Sequence, residues 1–184
     1  MSDTGVRTAR AADVPAVAHV QAAVWRNAYG DLVDAEVRDA FTPEAFEPAW
    51  RESLQSPPSP LHRLLVATEG ETVVGFAAIG PAVGDEPDPG TGEIYALGVA
   101  PDSRGHGNGS RLLNAAVDTL HAGDFASVSM WVLNDAEQAR AFLASAGLEP
   151  DGAWRDRVVA ADGRTAREVR LTAALSEPPG PDEP

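Results

Sequence analysis

The sequence predicts a mixed α/β fold of the α+β kind, a sheet of about seven strands with helices on its faces. Three observations carry this. Strand-like and helix-like apolar patterns follow one another in the order β, α, α, β, β, β, α, β, α, β, β. A glycine-rich stretch, LGVAPDSRGHGNGSRLL from Leu97 to Leu113, lies directly between an apolar strand and an amphipathic helix. The length of 184 residues, 43% of them hydrophobic, suits a single domain with a sizeable core. That domain is expected over 1–175, followed by an acidic, proline-rich and disordered tail over 176–184.

Val6 to Ala9 forms a short first strand, and Asp13 opens a helix whose apolar positions include Val17, Val20, Val24 and Trp25. A second helical region, about Ala35 to Leu54, is broken near Pro43, and SPPSP from Ser56 to Pro60 is a stiff linker. Leu64 to Thr68 and Thr72 to Ile79 make an antiparallel hairpin across Glu69, Gly70 and Glu71. An acidic Pro/Gly loop from Gly84 to Gly92 leads to the fourth strand, Glu93 to Val99, and the helix from Gly107 to His121. Ala126 to Leu133 is the fifth strand, and Asp135 to Ala146 a helix ended by Gly147 as a C-cap. Leu148 to Val159 and Thr165 to Thr172 form two further strands, joined through a hairpin turn that contains Asp162 and Gly163.

Composition removes several classes of function. The chain has no cysteine, so disulfides, thiolate metal sites and a thiol nucleophile are excluded. Its four histidines lack close ligand spacing, so no metal is expected. A net charge of −14 opposes a general nucleic-acid surface. No apolar run approaches the roughly 20 residues of a membrane span, and the N-terminus is polar, so a cytoplasmic protein is expected. All 14 basic residues are arginine, a bias that, with the abundant Ala, Gly and Pro, fits the coding preference of a GC-rich bacterium.

The glycine-rich stretch is expected to bind an anion, with glycines that merely relieve backbone strain at a helix entry as the alternative. A loop emptying into a helix N-terminus offers unpaired N–H groups and the positive end of the helix dipole, and Gly105, Gly107 and Gly109 carry no side chain to block approach. A dinucleotide fingerprint fails at Ser110, where its third glycine belongs, and a P-loop fails because the chain has no lysine. What stands is Arg104-x-x-Gly107-x-Gly109 preceded by L-x-V-x-P at Leu97, Val99 and Pro101. This resembles the acetyl-CoA motif, [Q/R]-x-x-G-x-[G/A], of the GCN5-related N-acetyltransferase (GNAT) superfamily. The element order is similar to that fold from Val6 to about Thr172. Family members often follow the fifth strand with N-x-x-A-x-x-F-Y-x-x-x-G-F, against which Asn134, Phe142 and Gly147 are set, with Leu148 for the final aromatic and Leu143 where many members carry a tyrosine acid.

The resemblance implies a mostly antiparallel sheet with helices on both faces and splayed fourth and fifth strands, and an acetyl-CoA-dependent N-acetyltransferase in which an amine attacks the thioester directly. It places the pantetheine arm against Leu97, Gly98 and Val99, the pyrophosphate on the amides of Arg104, Gly105, His106, Gly107, Asn108, Gly109 and Ser110, and Asn134 both facing the pantetheine and capping the next helix. His106 is expected exposed and neutral. Alternation along the fourth strand puts Glu93, Tyr95, Leu97 and Val99 on one face, making Glu93 either the general base or a solvated edge carboxylate, and Tyr95 either a proton donor or packing. With Leu143 in place of tyrosine, the general acid falls to Tyr95, Ser145 or water. Trp25, Arg26 and Tyr29 are candidates for the acceptor pocket, with packing of the helix as the alternative, and Asp85, Glu86 and Asp88 either attract a cationic amine or are simply solvated. The acceptor is expected to be a small-molecule or peptide amine, and a homodimer is compatible with the fold. A catalytically impaired acyl-CoA-binding module is the alternative function.

Overall fold

A computed structural model describes residues 4–84, 87–159 and 162–175. The strands and helices run β1 (Thr4–Thr8), α1 (Val14–Tyr29), α2 (Ala35–Asp39), α3 (Pro43–Gln55), β2 (Arg63–Glu69), β3 (Thr72–Pro81), β4 (Thr91–Val99), α4 (Asn108–Ala122), β5 (Ser127–Leu133), α5 (Glu137–Ser145), β6 (Glu149–Val158) and β7 (Thr165–Ala174). Short 3-10 turns at Ala11–Asp13 and Pro101–Ser103 precede α1 and the loop into α4. The seven strands form one sheet in the order β1-β2-β3-β4-β5-β7-β6, with every neighbouring pair antiparallel except β4 and β5. The expected tail and the acidic pair Asp85 and Glu86 lie outside the described residues. Among the described residues, no helix is long and apolar enough to cross a membrane.

Alternation divides the core between the two faces of the sheet. Leu65 and Ala67 point to the side covered by α4 and α5, where Leu112, Leu113, Ala116, Leu120 and Leu143 meet Ile94, Val128 and Leu171. Leu64 and Val66 point to the side covered by α1 and α3, where Val17, Val20 and Trp50 meet Phe76. The entry to α1 is pinned by a buried carboxylate: Asp13 accepts from Arg7 Nη1 at 2.7 Å, Arg7 Nη2 at 2.9 Å and the Arg10 backbone N–H at 2.7 Å. These bonds, the Arg7 contact foremost, hold its carboxyl below the usual range.

The β6–β7 register pairs Val158 with Thr165, and the Val159 N–H donates to the Arg164 carbonyl at 2.9 Å. Asp162 and Gly163 lie between the two strands as expected, with Gly163 at φ +86°. Asp162 caps its own loop, Oδ1 accepting from the Arg164 N–H at 3.0 Å.

Candidate active site

The site begins where the parallel ladder stops. β4 and β5 pair from Thr91 and Ser127 up to Ile94 and Met130 and no further, whereas β3 stays paired with β4 as far as Val99 and β7 with β5 as far as Leu133. Tyr95–Val99 and Trp131–Leu133 therefore wall a wedge-shaped gap. A bulge opens it: Ala78 faces Ala96 and Ile79 faces Ile94, leaving Tyr95 as the extra residue. The same bulge overturns the expected alternation. Ile94 packs on the α4 side together with Leu97 and Val99, while Ala96 packs on the α1 side. Glu93, the neighbour of Ile94, thus projects to the α1 side, away from the face of Leu97 and Val99.

Beyond Val99 the chain makes a glycine-rich turn that empties into the N-terminus of α4. Gly105 and Gly107 both have φ of +78°, and Gly107 is the N-cap of α4. Among the described residues, the N–H groups of residues 105–110 donate to no backbone carbonyl, and the first intrahelical bond is Arg111 N–H to Gly107 O at 3.0 Å. Six consecutive amides at a helix N-terminus form a concave donor surface. The side chains of this loop are turned to holding it. Asn108 is buried, its Nδ2 donating to Glu69 Oε1 at 2.7 Å and Ser103 O at 3.0 Å, and its Oδ1 accepting from Arg111 Nη2 at 3.0 Å. His106 is exposed, with Nδ1 3.3 Å from the same Glu69 oxygen. Arg104 donates to Asn27 Oδ1 at 2.9 Å and to the Val99 carbonyl at 3.2 Å, tying the loop to α1, while Ser110 stands exposed in the first turn of α4.

On the α1 side Glu93 is buried, 5% exposed, with Oε2 accepting from the Val83 N–H at 3.1 Å. Burial pushes its carboxyl up, against the opposing pull of that hydrogen bond and of Arg155 and Arg170. A solvated edge carboxylate is thereby excluded. The Tyr95 hydroxyl donates to the Pro81 carbonyl at 2.5 Å and lies 3.3 Å from His62 Nε2, whose Nδ1 is 2.8 Å from Ser59 Oγ. Burial, helped by the charge of Glu93, pushes the phenol up to about 12. Ser145 also has its hydroxyl engaged, with Phe142 O at 2.6 Å.

The β5 wall continues into a group of charges that sequence reasoning missed. Glu168 on β7 is 3% exposed and is bonded by Arg155 and, at 3.4 Å, by Arg157 of β6. Arg155 lies over the Trp131 ring at 4.4 Å and Arg157 near the Trp25 ring at 5.7 Å. Beyond Arg157, the ends of α1 and α2 and the segment after them leave a cleft of about 160 Å³ lined by Trp25, Tyr29, Val33, Val37 and Phe41. Trp25 is both wall and packing, its ring 5.5 Å from Tyr29, 5.7 Å from Phe41 and 5.2 Å from Phe46. Arg26 is exposed and lines nothing in the cleft. Asn134 does not cap α5: the N-cap is Ala136, and the Asn134 amide donates to Asp135 Oδ1 at 3.0 Å instead. Counted back from Gly147, the motif's asparagine falls on Ala136 and its tyrosine on Leu143, which is 2% exposed within the core.

A parallel ladder that opens at a bulge, followed by a loop of unpaired amides, is the arrangement the GNAT resemblance implies. Residues 26–148 match the acetyltransferase (GNAT) family. The chain belongs to that family. A probable N-acetyltransferase of Mycobacterium tuberculosis is 30% identical over 97% of this chain and 98% of its own length. Two solved structures share the GNAT fold: the PaiA N-acetyltransferase of Thermoplasma acidophilum in complex with coenzyme A, with a TM-score of 0.68 at 14% identity covering 94% of this chain and 99% of that one, and YncA, a putative acetyltransferase of Salmonella typhimurium with acetyl-CoA, with a TM-score of 0.66 at 22% identity covering 97% and 98%.

Proposed function

We propose that this GNAT protein is an acetyl-CoA-dependent N-acetyltransferase that acetylates a primary amine by direct attack in a ternary complex. The observation that carries this reading is the gap between β4 and β5 running into the six unpaired amides of residues 105–110. Main-chain groups of Leu97, Gly98 and Val99 along the gap would hold the pantetheine as an added strand, and the amides from Gly105 to Ser110 the pyrophosphate. Arg104, His106 and Asn108 shape that loop, and Asn134 lies at the end of the β5 wall. Acetyl-CoA would supply the thioester whose C–S bond breaks as the amine's C–N bond forms.

Glu93 is the general base. It is buried beside the open end of the ladder, and its raised pKa brings it towards the working pH, where a carboxylate both holds and releases a proton effectively. Tyr95 is a positioning residue rather than the acid. Its hydroxyl hydrogen is engaged by Pro81, and a phenol at about 12 would give its proton to a thiolate near 8.5 only against an equilibrium of roughly a thousandfold or more. With Leu143 in the core and Ser145 bonded to Phe142, the thiolate departs without a side-chain acid from α5 and takes its proton from water.

Calorimetric titration with acetyl-CoA, followed by an assay of free CoA released with a panel of amines, tests the reading. Binding with release supports it. Failure to bind overturns it, and binding without release with any amine transfers support to the impaired acyl-CoA module.

A further inference from the structure

The acceptor side of the gap has the wrong charge for a polycation. The chain as a whole carries −14, yet two guanidinium groups, Arg155 and Arg157, share the single carboxylate of Glu168. Glu168 is enclosed, whereas the two arginine side chains are 46% and 45% exposed, so donors of both remain free on the open side. The nearby Arg170 is neutralised by Asp151 at 2.7 Å. Leaving aside Glu93, which is reserved for the amine, the surplus is therefore one positive charge, set between that carboxylate and the aromatic cleft. Arg157 is the charged side chain in the lining of that cleft, and no carboxylate lines it among the described residues.

These features form a row. Glu93 stands opposite Ser129 at the last paired rungs of β4 and β5. Trp131, two residues on, carries Arg155 against its ring. Arg155 joins Glu168, Glu168 joins Arg157, and Arg157 reaches Trp25 at the cleft mouth. A buried carboxylate, a pair of guanidiniums and an apolar recess thus follow one another from β4 to the cleft.

We propose, on the footing that the protein is an N-acetyltransferase, that its acceptor is a free α-amino acid with an apolar or aromatic side chain: the carboxylate binds Arg157 and Arg155, the side chain enters the cleft of Trp25, Tyr29 and Phe41, and the amine is presented to Glu93. A planar carboxylate suits the guanidinium fork, and a charge-assisted pair of this kind discriminates strongly against a ligand that lacks the anion. A peptide N-terminus offers an amide at that point, and a polyamine or aminoglycoside a second cation.

The full chain is assayed for CoA release from acetyl-CoA with L-phenylalanine, its amide and phenethylamine, with L-leucine and 3-methylbutylamine, and with spermidine. The expected result is a kcat/KM at least about tenfold higher for each amino acid than for its carboxylate-free partner. In Arg157→Gln the KM for phenylalanine rises about tenfold and the preference over phenethylamine collapses, while Arg157→Lys restores part of it. The melting temperature of both variants serves as the folding control. Equal or better use of the amide, the amines or spermidine overturns the proposal and leaves the transferase intact. So does a preference that survives Arg157→Gln unchanged. No CoA release with any acceptor while acetyl-CoA binds overturns the transferase reading itself, and this proposal with it.

Discussion

The loop from Val99 to α4 and the wing made by β6 and β7 bind, on the proposed reading, the two halves of one reaction, and they are built on opposite principles. The loop works through main-chain amides, and its glycines at φ +78° are written into a few contiguous residues. The wing works through side chains gathered from far apart in the chain: Trp25 and Tyr29 from α1, Phe41 before α3, Arg155 and Arg157 from β6, Glu168 from β7. Backbone binding suits a donor that does not vary, since side-chain changes barely disturb it. Side-chain binding lets the acceptor change while the fold stays fixed. Substitutions in the two regions should therefore separate donor affinity from acceptor selectivity.

The largest effect is expected between the two regions, at Glu93. Glu93→Gln keeps an acceptor for the Val83 N–H but cannot take a proton, so kcat should fall about 100-fold or more with acetyl-CoA affinity unchanged. Because the folded protein raises this carboxyl, the base is lost as pH falls through a value above the ordinary carboxylate range, and the wild-type rate should show that acid limb while the variant shows none. The sign for stability is the reverse. A carboxyl whose pKa is raised on folding disfavours the fold when ionised, so at neutral pH the variant should melt no lower than wild type. A lower melting temperature, or a retained acid limb, would show that Glu93 supports the structure rather than the proton transfer.

Next comes the loop. Gly107→Ala puts a side chain at φ +78°, where it strains the backbone by about 1–2 kcal/mol, and sets Cβ 3.0 Å from the Arg111 guanidinium. Acetyl-CoA should bind about tenfold more weakly by calorimetry, and acceptor KM at saturating donor should stay where it was. The matching change in the wing is Glu168→Ala. It frees two arginines that are already half exposed and able to rehydrate, so the stability cost is about 1 kcal/mol, but acceptor KM should rise several-fold with acetyl-CoA affinity intact. If either substitution moved both constants, the division between main-chain donor binding and side-chain acceptor binding would fail.

The same division explains what was legible in the sequence. Strands and helices fall within a few residues of their expected bounds because apolar periodicity is local, and the glycine turn at the start of α4 is legible because Gly105 and Gly107 take their positive φ where they stand. Glu168 was invisible for the opposite reason. Its partners depend on the β6–β7 register, which sets it opposite Arg155, and a contact between strands is local to neither of them. The parity of β4 was missed because a bulge is one residue of irregularity, and nothing in the run from Glu93 to Val99 marks it.

Tyr95, the bulged residue, carries the smallest expected effect and the finest test of the comparison. It lies between the two regions, in the wall of the gap, with its ring and hydroxyl against His62 and Pro81. Its hydroxyl donates to Pro81 O, and for that to hold while His62 is 3.3 Å away, His62 must carry its proton on Nε2 and accept at Nδ1 from Ser59. The chain of bonds steadies Pro81, two residues before the Val83 amide that holds Glu93. Tyr95→Phe removes one link and leaves the ring, so the rate should fall less than about threefold. The informative readout is the pH profile. Loosening Pro81 weakens the Val83 N–H to Glu93 bond, which favours the ionised carboxylate, so the acid limb should move to higher pH. Were Tyr95 instead the acid for the departing thiolate, kcat would drop 100-fold or more with the acid limb in place.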